Sequence, residues 1–257
     1  MSVLALDFDG VLCDSARETG ITGWKAAGRL WADMADALPP EPLLDAYCRA
    51  RPVIETGYEA ILMMRLLKDG EGPDELLGSF QERLPETIVR SGANIEKLKG
   101  LYGAIRDRWI QEDPDGWLSL SPLYPGTAAT LHAIPQGVEC FIVTTKEARF
   151  VERLLAYHGV QFDAARIYGL DRRMKKEAVL RELMQHHAGS SIDFVEDRLG
   201  TLKRLSMQPD LASVRLHIAC WGYNTEAECR EAEHMNIHLL KTFSPEKILN
   251  AEYDFDQ

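Results

Sequence analysis

The chain has 257 residues, of which 46% are hydrophobic and 27% charged, values typical of an ordinary globular protein. This length allows one large domain or one domain with a sizeable insertion, and the composition excludes a disordered, collagen-like or low-complexity chain. Lysine and arginine number 29 against 40 aspartate and glutamate, and the net charge of −11 argues against general binding to nucleic acid or an acidic membrane.

The cysteines and the first residues indicate the compartment. The five cysteines, without a CxxC pair, are Cys13, Cys48, Cys140, Cys220 and Cys229. Their odd number and spacing indicate neither a disulfide framework nor a zinc site, so we expect free thiols in a reducing compartment. Residues 1–6 are too short for a signal peptide, and no apolar stretch approaches the ~18 residues of a membrane span. We therefore expect a cytoplasmic monomer or homodimer without nucleic-acid or membrane partners.

The first predicted element is a buried strand over residues 3–8, which ends in a turn at Gly10. From about residue 13 to residue 120, apolar residues recur at intervals of three and four, and this spacing predicts several helices. Proline and glycine predict breaks between these helices at residues 39–40, 70–73 and 91–92, and residues 114–116 and 122–126 mark the return to a different region.

The remainder of the chain alternates between two periods. Strands are predicted at residues 138–143, 166–168, 191–195, 214–221 and 237–240. Helices are predicted at residues 127–134, 147–158, 176–187, 199–207 and 225–234. Such alternation is typical of βαβ units and a parallel sheet. The pattern therefore predicts one strand, a helical insertion of about a hundred residues, and then the rest of an α/β domain.

Chemically active side chains follow several of these strands, where open α/β sheets bind their ligands. They are Asp7, Asp9, Thr144, Thr145, Lys146, Glu196 and Asp197, with Lys175 and Lys176 at the start of a helix. Carboxylates from two strand ends suit a hard divalent cation such as Mg²⁺. A lysine and a threonine beside that cation suit the oxygens of a phosphoryl group.

Four segments of the sequence resemble, in order, the motifs of the haloacid dehalogenase (HAD)-like hydrolase superfamily. They are LDFDGVL from Leu6, VTTK from Val143, Lys176 with the following AVL, and FVED from Phe194. The long interval after the first motif resembles the phosphoglycolate phosphatase and β-phosphoglucomutase branch. This resemblance implies an α/β fold: a Rossmann-like parallel-sheet core over residues 1–14 and 121–257, with an inserted α-helical cap over residues 15–120.

The resemblance also implies the roles of the first two motifs. Asp7 is the expected nucleophile, which forms an aspartyl-phosphate. Asp9 is the expected general acid and then base, and its presence favours phosphoryl transfer over carbon–halogen cleavage because a halide leaves without a proton. Thr144 is expected to bind the phosphoryl group through its hydroxyl and backbone amide. Thr145 replaces it if the strand ends one residue later.

For two basic residues, the sequence leaves two interpretations open. Lys176 is expected to neutralise the nucleophile and a phosphoryl oxygen, and Lys175 is its rival for this role. Arg51, in the insertion, is either a bidentate clamp for a substrate anion or an exposed arginine at the end of a helix.

The metal ligands expected from the resemblance come from the first and fourth motifs. They are Asp7, Asp9 through its backbone carbonyl, Asp197 and Glu196. Many members of the superfamily carry a further acid four or five residues after the fourth motif, but Thr201 and Leu202 stand there in this chain. Glu196 or a water molecule is the expected replacement.

The resemblance therefore predicts a Mg²⁺-dependent phosphatase that hydrolyses a small phosphorylated metabolite. A phosphomutase, which uses the same residues but returns the phosphoryl group to its substrate, is one alternative. A catalytically weak binding or regulatory protein on this fold is the other, because the expected second acid of the fourth motif is missing.

Overall fold

Six parallel strands form one sheet in the computed structural model, which describes residues 2–35 and 38–249. The strands are β1 (Ser2–Leu6), β2 (Val138–Val143), β3 (Ile167–Tyr168), β4 (Ser191–Glu196), β5 (Val214–Ala219) and β6 (His238–Leu240). Their order in the sheet is β3-β2-β1-β4-β5-β6. This parallel sheet confirms the predicted α/β fold, and it places the first strand between two strands that come much later in the chain.

The helices fall into two groups along the chain. Those of the first group are α1 (Ala16–Ala27), α2 (Glu41–Ala50), α3 (Glu59–Lys68), α4 (Pro73–Arg90), α5 (Ile95–Glu112) and α6 (Pro114–Ser119). Those of the second group are α7 (Thr127–His132), α8 (Ala148–Tyr157), α9 (Lys176–His186), α10 (Leu199–Ser206), α11 (Glu226–Glu233) and α12 (Pro245–Leu249). The chain divides into two compact units, one of Met1–Asp14 with Pro122–Gln257 and one of Ser15–Ser121.

The α/β unit buries its central strands on both faces. Residues 3–6 of β1 are all buried, as is typical of a strand inside a parallel sheet. Helices α9, α10 and α11 supply leucine, valine and alanine side chains to a core that packs against β1, β2, β4 and β5. Because both faces of the sheet are covered, ligands can reach these strands only at their ends, and the carboxyl ends carry the candidate site.

The helical unit has its own core, formed by apolar side chains of α1 to α5. Two of its helices begin where proline predicted breaks: α2 follows Pro40, and α4 begins at Pro73. The break between α2 and α3 was not predicted. Proline suits the first turn of a helix because its missing N–H has no partner there. No helix in the described part of the chain is both long enough and apolar enough to cross a membrane.

One ion pair lies inside the helical unit. Arg106 on α5 donates two hydrogen bonds of 2.9 Å to the carboxylate of Glu18 on α1, and Glu18 is fully buried. The hydroxyl of Thr22 donates a further bond of 2.8 Å to Glu18. Such a charge is tolerated inside a protein only because these partners satisfy it.

The expectation of five free thiols is wrong for one pair of cysteines. Cys220 and Cys229 form a disulfide with a Cα–Cα distance of 6.1 Å, whereas Cys13, Cys48 and Cys140 are thiols outside any disulfide. Cys220 follows β5 directly and Cys229 lies on α11, so the turn between these elements brings the two residues together. Their separation of nine residues carries no CxxC signal, which is why the sequence pattern does not reveal the pair.

Candidate active site

The predicted site residues of the α/β unit gather at the carboxyl ends of three adjacent strands, β2, β1 and β4. Asp7 is the first residue after β1, and Thr144 is the first residue after β2. Glu196 ends β4 and Asp197 follows it. The backbone N–H of Asp7 donates to the carbonyl of Val195 at 2.9 Å, so the ends of β1 and β4 stay in register up to the site.

Three buried carboxylates form a cluster there. Asp7, Glu196 and Asp197 each offer one carboxylate oxygen, and these oxygens all lie within 4.8 Å of one another. Leu202, one of the two residues at the place of the missing acid, is fully buried in the core beneath the sheet. Glu196 lies in the cluster, and its replacement of the missing acid of the fourth motif stays a prediction.

Lys176 links two members of this carboxylate cluster. Its Nζ lies 2.9 Å from Asp7 Oδ2 and 2.5 Å from Glu196 Oε2. Because Lys176 begins α9, the helix fixes its Cα at the edge of the sheet while the long side chain reaches the strand ends. Lys175, the alternative residue for this role, precedes the helix and is exposed. The structure thus brings Lys176 and not Lys175 to the carboxylates.

Burial dominates the electrostatics of this cluster. Desolvation raises the pKa of Asp7 to about 7; Lys176 opposes this rise and Glu196 adds to it. Desolvation also raises the pKa of Glu196, against the attraction of Lys176. For Lys176, desolvation acts to lower the pKa, but the two carboxylates more than offset it, so its pKa is raised and the ammonium stays protonated.

The charge balance of the cluster suits a divalent cation. Three ionised carboxylates and one ammonium sum to −3 + 1 = −2 in a buried site. Unneutralised charge of this kind is costly away from water, and the raised pKa values of Asp7 and Glu196 reflect that cost. Carboxylate oxygens are the donors that hard cations such as Mg²⁺ prefer. The residues present therefore fit the expected metal.

Asp9 lies outside this carboxylate cluster. Its carboxylate Oδ1 is 3.0 Å from the Nζ of Lys146, whose side chain is buried. Lys146 is one of the chemically active residues that follow β2 in the sequence, but its position two residues after Thr144 did not predict a contact with Asp9. Lys146 therefore pairs with the expected acid–base residue, while the acid–base role of Asp9 and the ligation of a metal by its carbonyl stay predictions.

Thr144 and Thr145 differ in exposure. Thr144 is buried, and its hydroxyl oxygen accepts the backbone N–H of Lys146 at 3.1 Å. The N–H of Thr144 already donates to the carbonyl of Tyr168 at 3.0 Å, so the hydroxyl, and not this amide, is the group left for a phosphoryl oxygen. Thr145 is exposed, and the condition for its use is not met because β2 ends at Val143.

The loop after β5 contacts Asp197 through its backbone and through one side chain. The N–H of Tyr223 donates to Asp197 Oδ2 at 2.7 Å, and Asn224 Nδ2 donates to the Asp197 carbonyl at 2.9 Å. A Cβ atom at Gly222 would lie 2.4 Å from the Cβ of Asp197, so only glycine fits there. The sequence analysis did not predict this contact between the loop after β5 and Asp197.

Gly10 meets Asp197 from the other side. It has a φ of 85°, and a Cβ atom added to it would lie 2.0 Å from Asp197 Oδ2. We expect Gly10→Ala to lower the free energy of unfolding by roughly 1–3 kcal/mol and to weaken Mg²⁺ activation, because the methyl group displaces a cluster carboxylate.

Gly126→Ala is the matched control for this substitution. Gly126 has a similar φ of 83°, but no atom lies within 4 Å of a Cβ added there. Thermal unfolding should show backbone strain in both variants, and titration of activity with Mg²⁺ should show a defect in Gly10→Ala alone. An equal Mg²⁺ response in the two variants would mean that Gly10 does not shape the cluster.

Arg51 belongs to the helical unit and is half-buried. It follows α2, and its Nη1 donates to the carbonyl of Ile54 at 3.0 Å. This contact tethers part of the guanidinium locally, and the role of Arg51 toward a substrate stays a prediction.

The structure has a parallel sheet with three motifs at its strand ends, the Lys176 motif at the start of α9, and a helical unit inserted after the first strand. This arrangement is the fold of HAD-like hydrolases. No family model matches the chain, and no curated protein matches its sequence. Solved structures do align with it over most of its length, which confirms the fold predicted from the four motifs.

Three of these structures illustrate the likeness. A predicted phosphatase from Clostridium acetobutylicum is 15% identical, with a TM-score of 0.53 over 93% of each chain. A HAD-like family hydrolase from Streptococcus pneumoniae is 14% identical, with a TM-score of 0.51 over 97% of each chain. A predicted phosphoglycolate phosphatase from Haemophilus somnus is 17% identical, with a TM-score of 0.54 over 88% of each chain. At such identities the likeness establishes the fold.

Proposed function

We propose that this protein is a Mg²⁺-dependent phosphatase, which hydrolyses a small phosphorylated metabolite through an aspartyl-phosphate on Asp7. The proposal rests on the cluster of the Asp7, Glu196 and Asp197 carboxylates, two of which contact the ammonium of Lys176. A carboxylate nucleophile needs nearby positive charge to offset the negative charge of an approaching phosphoryl group, and Lys176 and a cation held by the cluster would supply it.

In the first step, an oxygen of Asp7 attacks phosphorus and the bond to the substrate's bridging oxygen breaks. Lys176, 2.9 Å from Asp7 Oδ2, neutralises part of the negative charge that accumulates on the phosphoryl oxygens. Asp9, which takes up a proton as the substrate binds, gives this proton to the departing oxygen, which leaves as an alcohol. Asp7 now carries the phosphoryl group as a mixed anhydride.

In the second step, water attacks phosphorus and the Asp7–phosphorus bond breaks. Asp9 accepts the proton from this water, so it returns to its protonated form and Asp7 is regenerated as a carboxylate. The ion pair with Lys146 holds the side chain of Asp9 in one orientation between the two transfers. Thr144 positions a phosphoryl oxygen through its buried hydroxyl.

Asp7, Glu196 and Asp197 would hold Mg²⁺, with the Asp9 carbonyl as a further candidate ligand. Mg²⁺ bound there would offset the two excess negative charges and polarise the phosphoryl oxygens. Substrate selection is assigned to the helical unit, with Arg51 as the candidate for an anionic group.

The test of this proposal is the hydrolysis of p-nitrophenyl phosphate by the wild type and by Asp9→Asn. Wild-type turnover should vanish in EDTA, return with Mg²⁺, and release inorganic phosphate and nitrophenolate in equal amounts. Asp9→Asn should give a rapid burst of about one nitrophenolate per enzyme and then turnover slowed roughly 10²–10⁴-fold. The burst arises because nitrophenolate leaves without a proton, whereas water still needs a base.

Glu147→Gln is the matched control, since it also converts a carboxylate to an amide. Glu147 is a partly exposed residue that pairs with Arg149 at the surface. This variant should behave like the wild type in both phases. Turnover that is unchanged by EDTA, or an Asp9→Asn variant with full steady-state turnover, would contradict the proposed mechanism.

A further inference from the structure

A pair of cysteines brackets the loop that holds the metal-binding carboxylate Asp197. Cys220 and Cys229 lie at the two ends of the turn from β5 into α11, and their Cα atoms are 6.1 Å apart. This distance lies inside the range of about 4.4–6.8 Å in which a disulfide forms without backbone movement. The segment between them therefore exists either closed by a covalent link or open.

The enclosed segment 221–224 contacts Asp197 at several points. Tyr223 donates its N–H to Asp197 Oδ2, and Asn224 donates its side-chain amide to both the Asp197 carbonyl and the Ala219 carbonyl. Cys229 Sγ lies 3.2 Å from Asn224 Oδ1. One amide side chain thus joins the cysteine pair to the backbone of a metal ligand.

The two cysteine residues differ in exposure. Cys220 is half-buried, whereas Cys229 is only 8% exposed. A dissolved oxidant therefore reaches Cys220 first, and Cys229 is placed to resolve the product. The three remaining cysteines are thiols outside any disulfide, and Cys13 and Cys140 are buried.

We propose that Cys220 and Cys229 are a redox modification site, whose reversible disulfide strengthens Mg²⁺ binding by the carboxylate cluster. This inference rests on the proposed function, because it assigns the cluster to Mg²⁺. The disulfide would regulate Mg²⁺ affinity whether or not a substrate is bound.

The chemistry is thiol–disulfide exchange with a low-molecular-weight disulfide such as oxidised glutathione. The Cys220 thiolate attacks one sulfur of that disulfide, and one thiol leaves. Cys229 then attacks the Cys220 sulfur of the mixed disulfide, and the second thiol leaves. Both cysteine protons end on the two released thiols, and the two electrons lost by the protein reduce the oxidant. Excess small thiol reverses both steps.

The direction of the effect follows from comparing the two states. In the reduced state, the Cys229 thiol gives Asn224 a hydrogen bond, but S–H is a weak donor. In the oxidised state, a covalent link limits the conformations of the whole segment. The link outweighs the weak bond, so reduction should lower Mg²⁺ affinity roughly three- to tenfold through lost preorganisation of Asp197.

The experiment compares the full chain after treatment with oxidised glutathione and after complete reduction. Intact mass and thiol counting establish each state, and calorimetric titration with Mg²⁺ alone measures affinity. Hydrogen exchange of segment 221–224 without metal supplies a second readout, which should be slower in the oxidised protein. Cys220→Ser and Cys229→Ser should both bind Mg²⁺ like the reduced wild type, whatever the treatment. Cys48→Ser, in the helical unit, should keep the full redox response.

The outcomes separate this inference from the function on which it rests. Equal Mg²⁺ affinity in both redox states overturns the redox control and leaves the phosphatase proposal intact. Failure of both states to bind Mg²⁺ overturns the metal site and, with it, the control of Mg²⁺ affinity. Failure of oxidised glutathione to link the two cysteines overturns the modification site.

Discussion

Asp7→Asn should reduce the turnover of p-nitrophenyl phosphate by roughly four or more orders of magnitude, because an amide cannot form the acyl-phosphate. The substitution keeps the size of the side chain, so it removes a charge and a nucleophile without creating a cavity. Steady-state assay and intact mass after a substrate quench check it: the wild type should show a phosphoryl adduct and the variant none. Equal turnover in both proteins would refute Asp7 as the nucleophile.

The same variant carries its own control against misfolding. Burial raises the pKa of Asp7 from its ordinary value of 3.8 to about 7, so the folded state binds this proton more tightly than the unfolded state. In metal-free protein, the stability that protonated Asp7 contributes is therefore lost as pH rises from about 4 to about 7. Asp7→Asn lacks this titration.

Thermal unfolding in EDTA at about pH 5 and about pH 8 tests this expectation. The loss of stability between the two pH values should be smaller in Asp7→Asn than in the wild type. At the higher pH the variant should be at least as stable as the wild type. An inactive variant that is also less stable at that pH would leave unfolding as the cause of its inactivity.

Arg106→Met should lower the free energy of unfolding of the helical unit by about 3–5 kcal/mol, because it leaves the buried carboxylate of Glu18 without its cation. Arg106 spans α5 and α1 with two hydrogen bonds, and methionine keeps most of its apolar stem. Denaturation by urea, followed by circular dichroism, measures the loss.

Two further variants make this test specific. Arg108 lies on the same helix and pairs with Glu112 at the surface, so Arg108→Met should cost under ~1 kcal/mol. Adding Glu18→Gln to Arg106→Met should recover part of the loss, since it removes the uncompensated charge. Similar losses for Arg106→Met and Arg108→Met would show that burial of the pair does not matter.

The convergence of Asp7, Glu196 and Asp197 could be predicted from the sequence, because parallel strands bring their carboxyl ends to one edge. The preference for Lys176 over Lys175 could not be derived from spacing alone. It depends on which residue begins α9 and on how far a lysine reaches across the strand ends.

The contacts that could not be predicted join segments that are not related by a shared helix or strand periodicity. Lys146 meets Asp9 across the ends of two strands, and Cys220 meets Cys229 across a turn whose angle no periodicity encodes. Leu202 illustrates the opposite case. The amphipathic pattern of α10 directs it into the core, so the helix could not present an acid at that position without burying the charge among apolar side chains.

The central position of β1 has a consequence for the order of assembly. Leu4 pairs with Cys140 on one side and with Asp193 on the other, at separations of 140 − 4 = 136 and 193 − 4 = 189 residues. Contacts of such long range form slowly, whereas helices packed on nearby helices form quickly. We expect the helical unit to fold on the ribosome before β2 and β4, the two strands that pair with β1, have been synthesised. Asp7 at the end of β1 therefore reaches Lys176 and its partner carboxylates among the last events of folding, so we expect that a truncated chain cannot assemble the proposed site.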